Sequence, residues 1–344
     1  MKATFRPTTP QDEAQLIAFL ARAFSKHRKS PFLDAALLRW KFWTEREDFK
    51  DPRSYVLERN GEFIAHVGLW PSVLCSGGNT WRGAHMIDWA SEPKAPGSGV
   101  SLLARIVGLF DFAFSIGGGD MTRRILPAFG FKSTTSFWTA ARPLKPLKQM
   151  LSHQHSNCKL PLRFARNAWW SRIPRGPSLS GWSALPVNPG YLPDEAPMID
   201  SSASSICRDN AFFRYIQACP RTKVLLFQLL KHGNQAGTFA LSITGKQARI
   251  AGVWPKTDSP GTLAAAYTLA QHEARRFDDA YEIIAGGSTA NTELAAAEAG
   301  LRVRGRMPVF LLERSGAFPE RSFEFQLVDN DAFFLRADLP EFLT

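Results

Sequence analysis

The residues with the clearest chemical meaning form a loop with two glycines, Lys94-Ala-Pro-Gly97-Ser-Gly99. The apolar run at 85–90 is typical of a strand, and apolar residues recur at helical spacing over 102–110. A strand, a tight turn and a helix aim several backbone N–H groups at one point, where the helix dipole adds positive potential. The loop therefore indicates a phosphate or pyrophosphate site, while a plain connection between strand and helix would also use glycine.

Two titratable side chains in the preceding strand, His85 and Asp88, are candidate bases. An attacking amine or hydroxyl must lose a proton, and burial can bring a carboxylate or imidazole close to the neutral pKa that this transfer needs. A backbone N–H near Trp89 and Ala90 could polarise a carbonyl group at the end of the same strand. Each side chain also has a structural alternative, as a hydrogen-bonding aspartate or as a histidine with satisfied partners.

The elements that must position these residues follow a regular order. The patterns predict a strand, two helices and three strands before the loop, and a helix, a strand, a helix and a strand after it, ending near 141. Asn60-Gly61 predicts a tight hairpin between the second and third strands. The order predicts an α/β domain with a central sheet.

This order resembles the GNAT N-acyltransferase superfamily, and the matching residues are the strand 86–90, the loop 94–99 and Pro127-Ala-Phe-Gly-Phe131. The resemblance implies that acetyl-CoA or another acyl-CoA binds with its pyrophosphate at the loop amides, and that Asp88 and His85 are the catalytic candidates. Lys94 stands where the superfamily usually has Arg or Gln. Leu126 stands where the superfamily often has a tyrosine that acts as the general acid. The residues implied to bind the coenzyme are Trp89, Ala90, Lys94, Gly97, Ser98, Gly99 and Val100.

An internal repeat extends the resemblance to the second half of the chain. Leu37-Leu-Arg-Trp-Lys-Phe42 corresponds to Phe212-Phe-Arg-Tyr-Ile-Gln217, and a strand pair follows each. We therefore expect an α/β fold of two tandem GNAT-like domains, each a mixed central sheet flanked by helices. The predicted units are an acyl-CoA-binding domain at 1–145, a basic linker rich in Pro and Ser at 146–204, and a second domain with a C-terminal extension at 205–344.

The second copy lacks the features of a coenzyme site. Its loop, 256–262, has one glycine and places Asp258 where a pyrophosphate would lie. A carboxylate disfavours an anion at that point. We therefore expect an architectural or acceptor-binding role for the second copy.

The net charge of +11 is concentrated in one segment. Residues 121–193 contain eleven Lys and Arg and no Asp or Glu, a field that favours an anionic partner. Within this segment, 160–172 combines three arginines with Trp169 and Trp170 and could lie on an anionic membrane surface. The alternative is a linker helix that packs its tryptophans against one domain.

Tandem pairs of this kind resemble bacterial polysaccharide-associated acyltransferase-like proteins and Fem-type transferases. The predicted function is acyl-CoA-dependent transfer of an acetyl or other acyl group to an anionic small molecule or glycan precursor, such as a sugar or cell-envelope intermediate. The alternatives are a non-catalytic binding protein and a Fem-type enzyme that uses aminoacyl-tRNA. Nucleic acid is not the expected partner.

The expected location is the cytoplasm, with peripheral contact at the inner face of the membrane as a further expectation. No signal peptide is visible, and Arg105 and Asp111 interrupt the most apolar segment. The four cysteines form no Cys-x-x-Cys pair, so we expect unpaired thiols. His153-x-His155-x-x-Cys158 lacks a fourth ligand, and no metal site is predicted.

Overall fold

The computed structural model describes residues 3–24, 33–76, 79–152, 159–172, 176–187, 204–257, 259–314, 323–331, 334 and 342–344. The predicted order of elements in the first copy is confirmed. Its elements are β1 (Thr4–Pro7), α1 (Glu13–Ala23), α2 (Ala35–Phe42), β2 (Ser54–Arg59), β3 (Glu62–Ser76), β4 (Asn79–Ser91), α3 (Ser98–Ile106), β5 (Phe112–Ile116), α4 (Asp120–Ala128) and β6 (Lys132–Pro143).

The second copy repeats this order with one helix before its strand pair, where the first copy has two, and with one further short strand at its end. Its elements are β8 (Ser204–Cys207), α7 (Asn210–Gln217), β9 (Lys223–Lys231), β10 (Asn234–Thr244), β11 (Gln247–Pro255), α8 (Pro260–Arg275), β12 (Glu282–Gly287), α9 (Ala290–Glu298), β13 (Arg302–Glu313) and β14 (Phe323–Glu324). The segment between the copies contains α5 (Pro146–Leu151), α6 (Leu160–Arg172) and β7 (Trp182–Val187). The fold class of two tandem α/β copies is confirmed.

The two copies share one sheet because they exchange their last strands. The strand order is β1-β2-β3-β4-β5-β13-β6-β12-β11-β10-β9-β7. Thus β6, from the first half of the chain, lies against β12 of the second, and β13 lies against β5. The exchanged strands β6 and β13 pair with each other at the centre. A strand from each copy therefore completes the sheet of the other.

The repeated helices meet across this junction. The rings of Trp40 on α2 and Tyr215 on α7, which occupy equivalent repeat positions, stack with centroids 4.8 Å apart. The Trp40 indole donates to the Tyr215 carbonyl at 3.0 Å, and the Tyr215 hydroxyl donates to the Trp40 carbonyl at 2.7 Å. Asp34 and Asp209 cap the two helices in the same way. The repeat therefore forms a nearly reciprocal contact in a shared aromatic core.

The segment around 160–172 is helical, and Trp170 is fully buried, with its indole N–H 3.1 Å from the Gly300 carbonyl. This agrees with the alternative of a packed linker helix for Trp170, whereas Trp169 is exposed. Within the described residues, none of the helices is both long enough and apolar enough to span a bilayer.

The expectation of unpaired thiols is wrong for two cysteines. Because β8 pairs with β3, Cys75 and Cys207 come to a Cα separation of 5.9 Å across 132 residues of chain and form a disulfide. Cys219 is free and buried. The candidate metal ligands His153, His155 and Cys158 lie outside the described residues, and no group of three or more metal-ligating side chains occurs among the residues that are described.

Candidate active site

The candidate site lies where β4 and β5 separate. The two parallel strands pair only at Gly83–Phe112, Ala84–Ala113 and His85–Phe114. Beyond His85, β4 continues to Ser91 with β3 as its strand partner, while Ser115 and Ile116 of β5 pair with β13. The edges of β4 and β5 that face each other therefore diverge and form a V-shaped opening.

A bulge distorts β4 inside this opening. The β3–β4 register shifts between His66–Ala90 and Gly68–Ile87, and Asp88 has a φ of +48°. A positive φ is strained for a residue with a Cβ, so contacts must hold it in place. The buried His66 ring does so, since its Nδ1 lies 3.0 Å from the Asp88 carbonyl and its Nε2 lies 2.9 Å from the Ser54 hydroxyl. Burial lowers the pKa of His66 to about 4, which keeps this ring neutral near pH 7.

His85 closes the apex of the opening. Its Nε2 accepts a hydrogen bond from the Ile116 amide at 3.1 Å, so the proton of the neutral ring is on Nδ1. The ring is buried, and burial lowers the pKa of His85 to about 3. Among the described residues, Nδ1 has no hydrogen-bond partner. This geometry favours a positioning role for His85 over its predicted role as a base, because no lone pair is left to accept a proton.

Asp88 belongs to a charged cluster between the two copies. Its carboxylate forms an ion pair with Lys41 of α2, whose side chain is completely buried. Asp331, two residues after the short helical turn Leu327–Asp329, interacts electrostatically with Asp88, Lys41 and Arg249 of β11. Burial, reinforced by the charge of Asp88, raises the pKa of Asp331 to about 6. A carboxylate with this pKa is ionised at neutral pH and is well matched to accept a proton.

The glycine loop has the predicted free amides, with one change. Gly97 precedes α3 with a φ of +79°, and nothing lies within 4 Å of a Cβ built there. The amides of Gly97, Gly99 and Val100 have no acceptor among the described residues. The Ser98 amide instead donates to the Ala95 carbonyl at 3.1 Å, and its hydroxyl donates to that carbonyl at 2.7 Å. Ser98 therefore stabilises the turn, and three neighbouring amides remain for an anion.

The other implied coenzyme residues surround this turn. The half-buried Trp89 indole donates to the Gly99 carbonyl at 3.2 Å, which ties β4 to the start of α3. Ala90 is half-buried beside it, and Lys94 is exposed on the loop. Leu126, at the position of the missing tyrosine, is fully buried in the core beneath α3 and α4. The loop thus presents backbone donors and a cation, while position 126 contributes only to packing.

The equivalent opening of the second copy is occupied by the chain itself. The strands β11 and β12 pair from Gln247–Glu282 to Ile250–Ala285 and then diverge. There the side-chain amide of Gln326 accepts from the Val253 amide at 2.5 Å and donates to the Val253 carbonyl at 2.9 Å. Gln326 also forms a backbone bridge to Gly287 of β12. The amide and carbonyl of Val253, which point into this opening, are therefore both satisfied by Gln326.

Lys41, Asp331 and Gln326 were missed by sequence reasoning. Lys41 lies in the repeated helix, where its counterpart is Ile216, and a charged residue aligned with an apolar one in the repeat was the available signal. Asp331 and Gln326 lie in a tail whose strand and Asp-bearing turn are recognisable, but no local pattern shows which sheet the tail crosses. Only the folded chain brings Asp331 to Asp88 over 243 residues.

Comparison with known proteins agrees with this geometry. Residues 4–111 match the family model described as an acetyltransferase (GNAT) domain. This part of the chain is therefore similar to a GNAT acetyltransferase domain, and the whole chain has the tandem α/β fold of GNAT-type structures. A search of curated proteins finds no match.

Three solved structures illustrate the fold. The chain is similar to a GCN5-related N-acetyltransferase from Anabaena variabilis, with 12% identity and a TM-score of 0.57 over 90% of this chain and 72% of that one. It is also similar to Saccharomyces cerevisiae N-myristoyltransferase with bound myristoyl-CoA. The identity is 12% and the TM-score is 0.60, over 90% of this chain and 80% of that one. A third similar structure is a tandem GNAT protein from the clavulanic acid biosynthesis pathway. The identity is 14% and the TM-score is 0.55, over 93% of this chain and 100% of that one.

Proposed function

We propose that this protein is an acyl-CoA-dependent acyltransferase with one coenzyme site, in its first copy. The observation that carries the proposal is the contrast between the two openings. The first lies beside three free amides at the start of α3, while Gln326 occupies the second. A site with free donors at a helix N-terminus suits a pyrophosphate, and an opening already satisfied by a side chain does not.

Acyl-CoA fits the residues of the first copy. The amides of Gly97, Gly99 and Val100 would hold the pyrophosphate, with Lys94 adding positive charge. The β4 edge at Trp89 and Ala90 would lie along the thioester arm and polarise its carbonyl through a backbone N–H. The coenzyme supplies an activated acyl group and a thiolate leaving group.

The charged cluster at Asp88 supplies the proton chemistry. In this proposal the Asp331 carboxylate takes the proton from the attacking amine or hydroxyl as the bond to the acyl carbon forms. The carbon–sulfur bond then breaks, and water protonates the departing thiolate because no tyrosine is available at position 126. Because Lys41 is paired with Asp88, the Asp331 carboxylate is the one that accepts the proton in this proposal.

The proposed acceptor is an anionic sugar or cell-envelope precursor, as in bacterial polysaccharide-associated acyltransferase-like proteins. The excess of Lys and Arg over residues 121–193 supports an anionic acceptor, and a precursor of this class fits the predicted cytoplasmic location with membrane contact through 160–172. The acyl group is proposed to be acetyl or another acyl group.

Isothermal titration with acetyl-CoA tests the coenzyme site. We expect one molecule bound per chain, and weaker binding by Val100→Pro, which removes one amide donor at the third helical residue. Proline is tolerated here because Val100 lies in the first turn of α3, where its amide has no acceptor within the helix. Val100→Ala keeps the amide and is the matched control.

Thiol release with candidate sugar acceptors then tests the reaction. The absence of a heat of binding in the titration with acetyl-CoA would contradict the proposal. It would favour the Fem-type alternative, which can be tested with aminoacyl-tRNA. Coenzyme binding without acceptor-dependent thiol release would favour the non-catalytic alternative. Equal binding by Val100→Pro and Val100→Ala would show that the α3 amides do not hold the coenzyme.

A further inference from the structure

The outer surface of α5 and α6 has an unusual concentration of exposed apolar side chains. Four of these side chains are more than half exposed: Leu147 (55%) and Leu151 (71%) on α5, and Leu162 (75%) and Trp169 (61%) on α6. They are four of the ten large apolar residues exposed among the described residues, on helices of six and 13 residues. Single exposed apolar residues are ordinary, whereas four on two short helices that pack against each other mark a candidate surface for an apolar partner.

The buried sides of the two helices show that these residues point outward. Gln149 of α5 and Asn167 of α6 are buried and bonded to each other at 3.0 Å, and Gln149 also donates to the Thr344 hydroxyl at 2.7 Å. Leu147 and Leu151 lie on the face of α5 opposite Gln149, and Leu162 and Trp169 lie seven residues apart on the face of α6 opposite Asn167. We call the four apolar residues the outer face.

Arginines border the outer face. Arg166 is exposed on α6 between Leu162 and Trp169, and Arg302 and Arg304 of β13 cover the Trp170 ring at 4.5 and 4.8 Å. Burial and the neighbouring charges of Arg166, Arg302 and Arg163 lower the pKa of Arg304. The guanidinium groups of Arg166, Arg302 and Arg163 therefore act on that of Arg304 in the same direction, with Glu282 opposing them. Such a cluster gains stability when an anion approaches.

We infer that the outer face and its bordering arginines dock on the surface of an anionic lipid bilayer. Leucines and a tryptophan suit the boundary between headgroups and acyl chains, and guanidinium groups suit lipid phosphates. A single-stranded nucleic acid would use the arginines but would not require Leu147, Leu151 and Leu162. The inference does not depend on the proposed acyl transfer, since the surface is separate from α3 and the Asp88 cluster.

Sedimentation of the full-length protein with lipid vesicles tests this inference. One vesicle type contains one part phosphatidylglycerol to two parts phosphatidylcholine, and the other contains phosphatidylcholine alone. We expect about tenfold stronger partitioning to the anionic vesicles, reduced by high salt. Leu162→Ser combined with Trp169→Ser is expected to reduce that partitioning about tenfold, because the apolar contact with the bilayer is lost.

Matched variants separate docking from general effects. Leu294→Ser removes an apolar residue that is 68% exposed on α9, a helix that is not part of the outer face, and should leave partitioning unchanged. Arg166→Gln should weaken binding to anionic vesicles, whereas Arg59→Gln on the exposed hairpin should not. Circular dichroism confirms that each variant folds. Equal partitioning by the double serine variant and by Leu294→Ser would overturn the inference, as would the absence of vesicle binding or equal binding to both vesicle types.

Discussion

Burial changes the proton affinity of three side chains at the junction of the copies. It raises the pKa of Asp331 to about 6 and lowers the pKa of His66 to about 4 and that of His85 to about 3. The cause is the same, because a site removed from water favours the neutral form of either group. Of the three, Asp331 is the one that changes charge close to physiological pH, which makes it the base that we propose.

The pH dependence of the reaction should identify Asp331. Its carboxylate is protonated below pH 6 and ionised above, so the rate should rise through about pH 6 and then level off. We expect Asp331→Asn to lower kcat by about 10²–10⁴-fold and to remove this rise. The measurement is kcat and KM for thiol release between pH 5 and 8.

The same substitution should not destabilise the protein at neutral pH. A carboxyl group with a raised pKa favours folding when protonated, and that contribution is lost as the pH rises through about 6. Asp331→Asn is therefore expected to be at least as stable as the natural chain at pH 7 by urea unfolding. A large loss of stability would show that Asp331 has a structural role, and an unchanged pH profile would show that it is not the base.

The two buried histidines should make the protein sensitive to acid. Their folded pKa values lie below the ordinary 6.5, so the unfolded chain binds more protons and stability is lost as the pH falls below that value. Each histidine adds up to about 1.4 kcal/mol per pH unit over this range. We expect His85→Gln, which can still accept from the Ile116 amide, to reduce the slope of unfolding free energy against pH. An unchanged slope between pH 4.5 and 6.5 would contradict this explanation.

At the scale of elements, the tail 323–331 links the two openings. Gln326 fills the opening of the second copy, Val328 accepts a hydrogen bond from the Trp70 indole at 3.1 Å, and Asp329 forms a buried ion pair with Arg208. Asp331 lies two residues further along the chain and interacts electrostatically with Asp88 and Lys41 of the first copy. The segment that closes one opening therefore also positions the proposed base of the other.

Removing the Gln326 amide should affect both stability and the site. Gln326→Ala leaves the buried Val253 amide and carbonyl without partners, at a cost of about 1–3 kcal/mol. We also expect a lower kcat with little change in acetyl-CoA affinity, because Asp331 would be held less firmly. Gln11→Ala, at an exposed position of the first copy, is the control. If coenzyme affinity fell together with kcat, the tail would act on the first coenzyme site rather than on the base.

At the scale of the whole molecule, strand exchange makes the copies interdependent. Neither sheet is complete without a strand from the other half, and the helices α2 and α7 stack through Trp40 and Tyr215. The disulfide between Cys75 and Cys207 adds a covalent link between β3 and β8. Such a molecule should unfold as one cooperative unit although its sequence contains two copies.

Calorimetry can test this cooperativity with one substitution at the junction. Tyr215→Phe removes the hydroxyl that donates to the Trp40 carbonyl and contacts Arg53 at 2.6 Å, and should cost about 1–3 kcal/mol. We expect a single transition that moves to lower temperature as a whole. Tyr281→Phe, at a half-buried position directly before β12, should have little effect. A transition that splits in two would show that the copies unfold independently.

The sequence by itself determined the features that depend on neighbouring residues. Apolar spacing, the Asn60-Gly61 turn and the glycines at 97 and 99 specify local conformation, so the order of elements and the free amides at the start of α3 were predictable. The similarity of 37–42 and 212–217 likewise showed the repeat. Tertiary structure alone decided the exchange of β6 and β13, the disulfide, the neutral state of His85 and the meeting of Asp331 with Asp88 and Lys41. These features join residues more than a hundred positions apart or depend on burial, and both arise only when the entire chain packs.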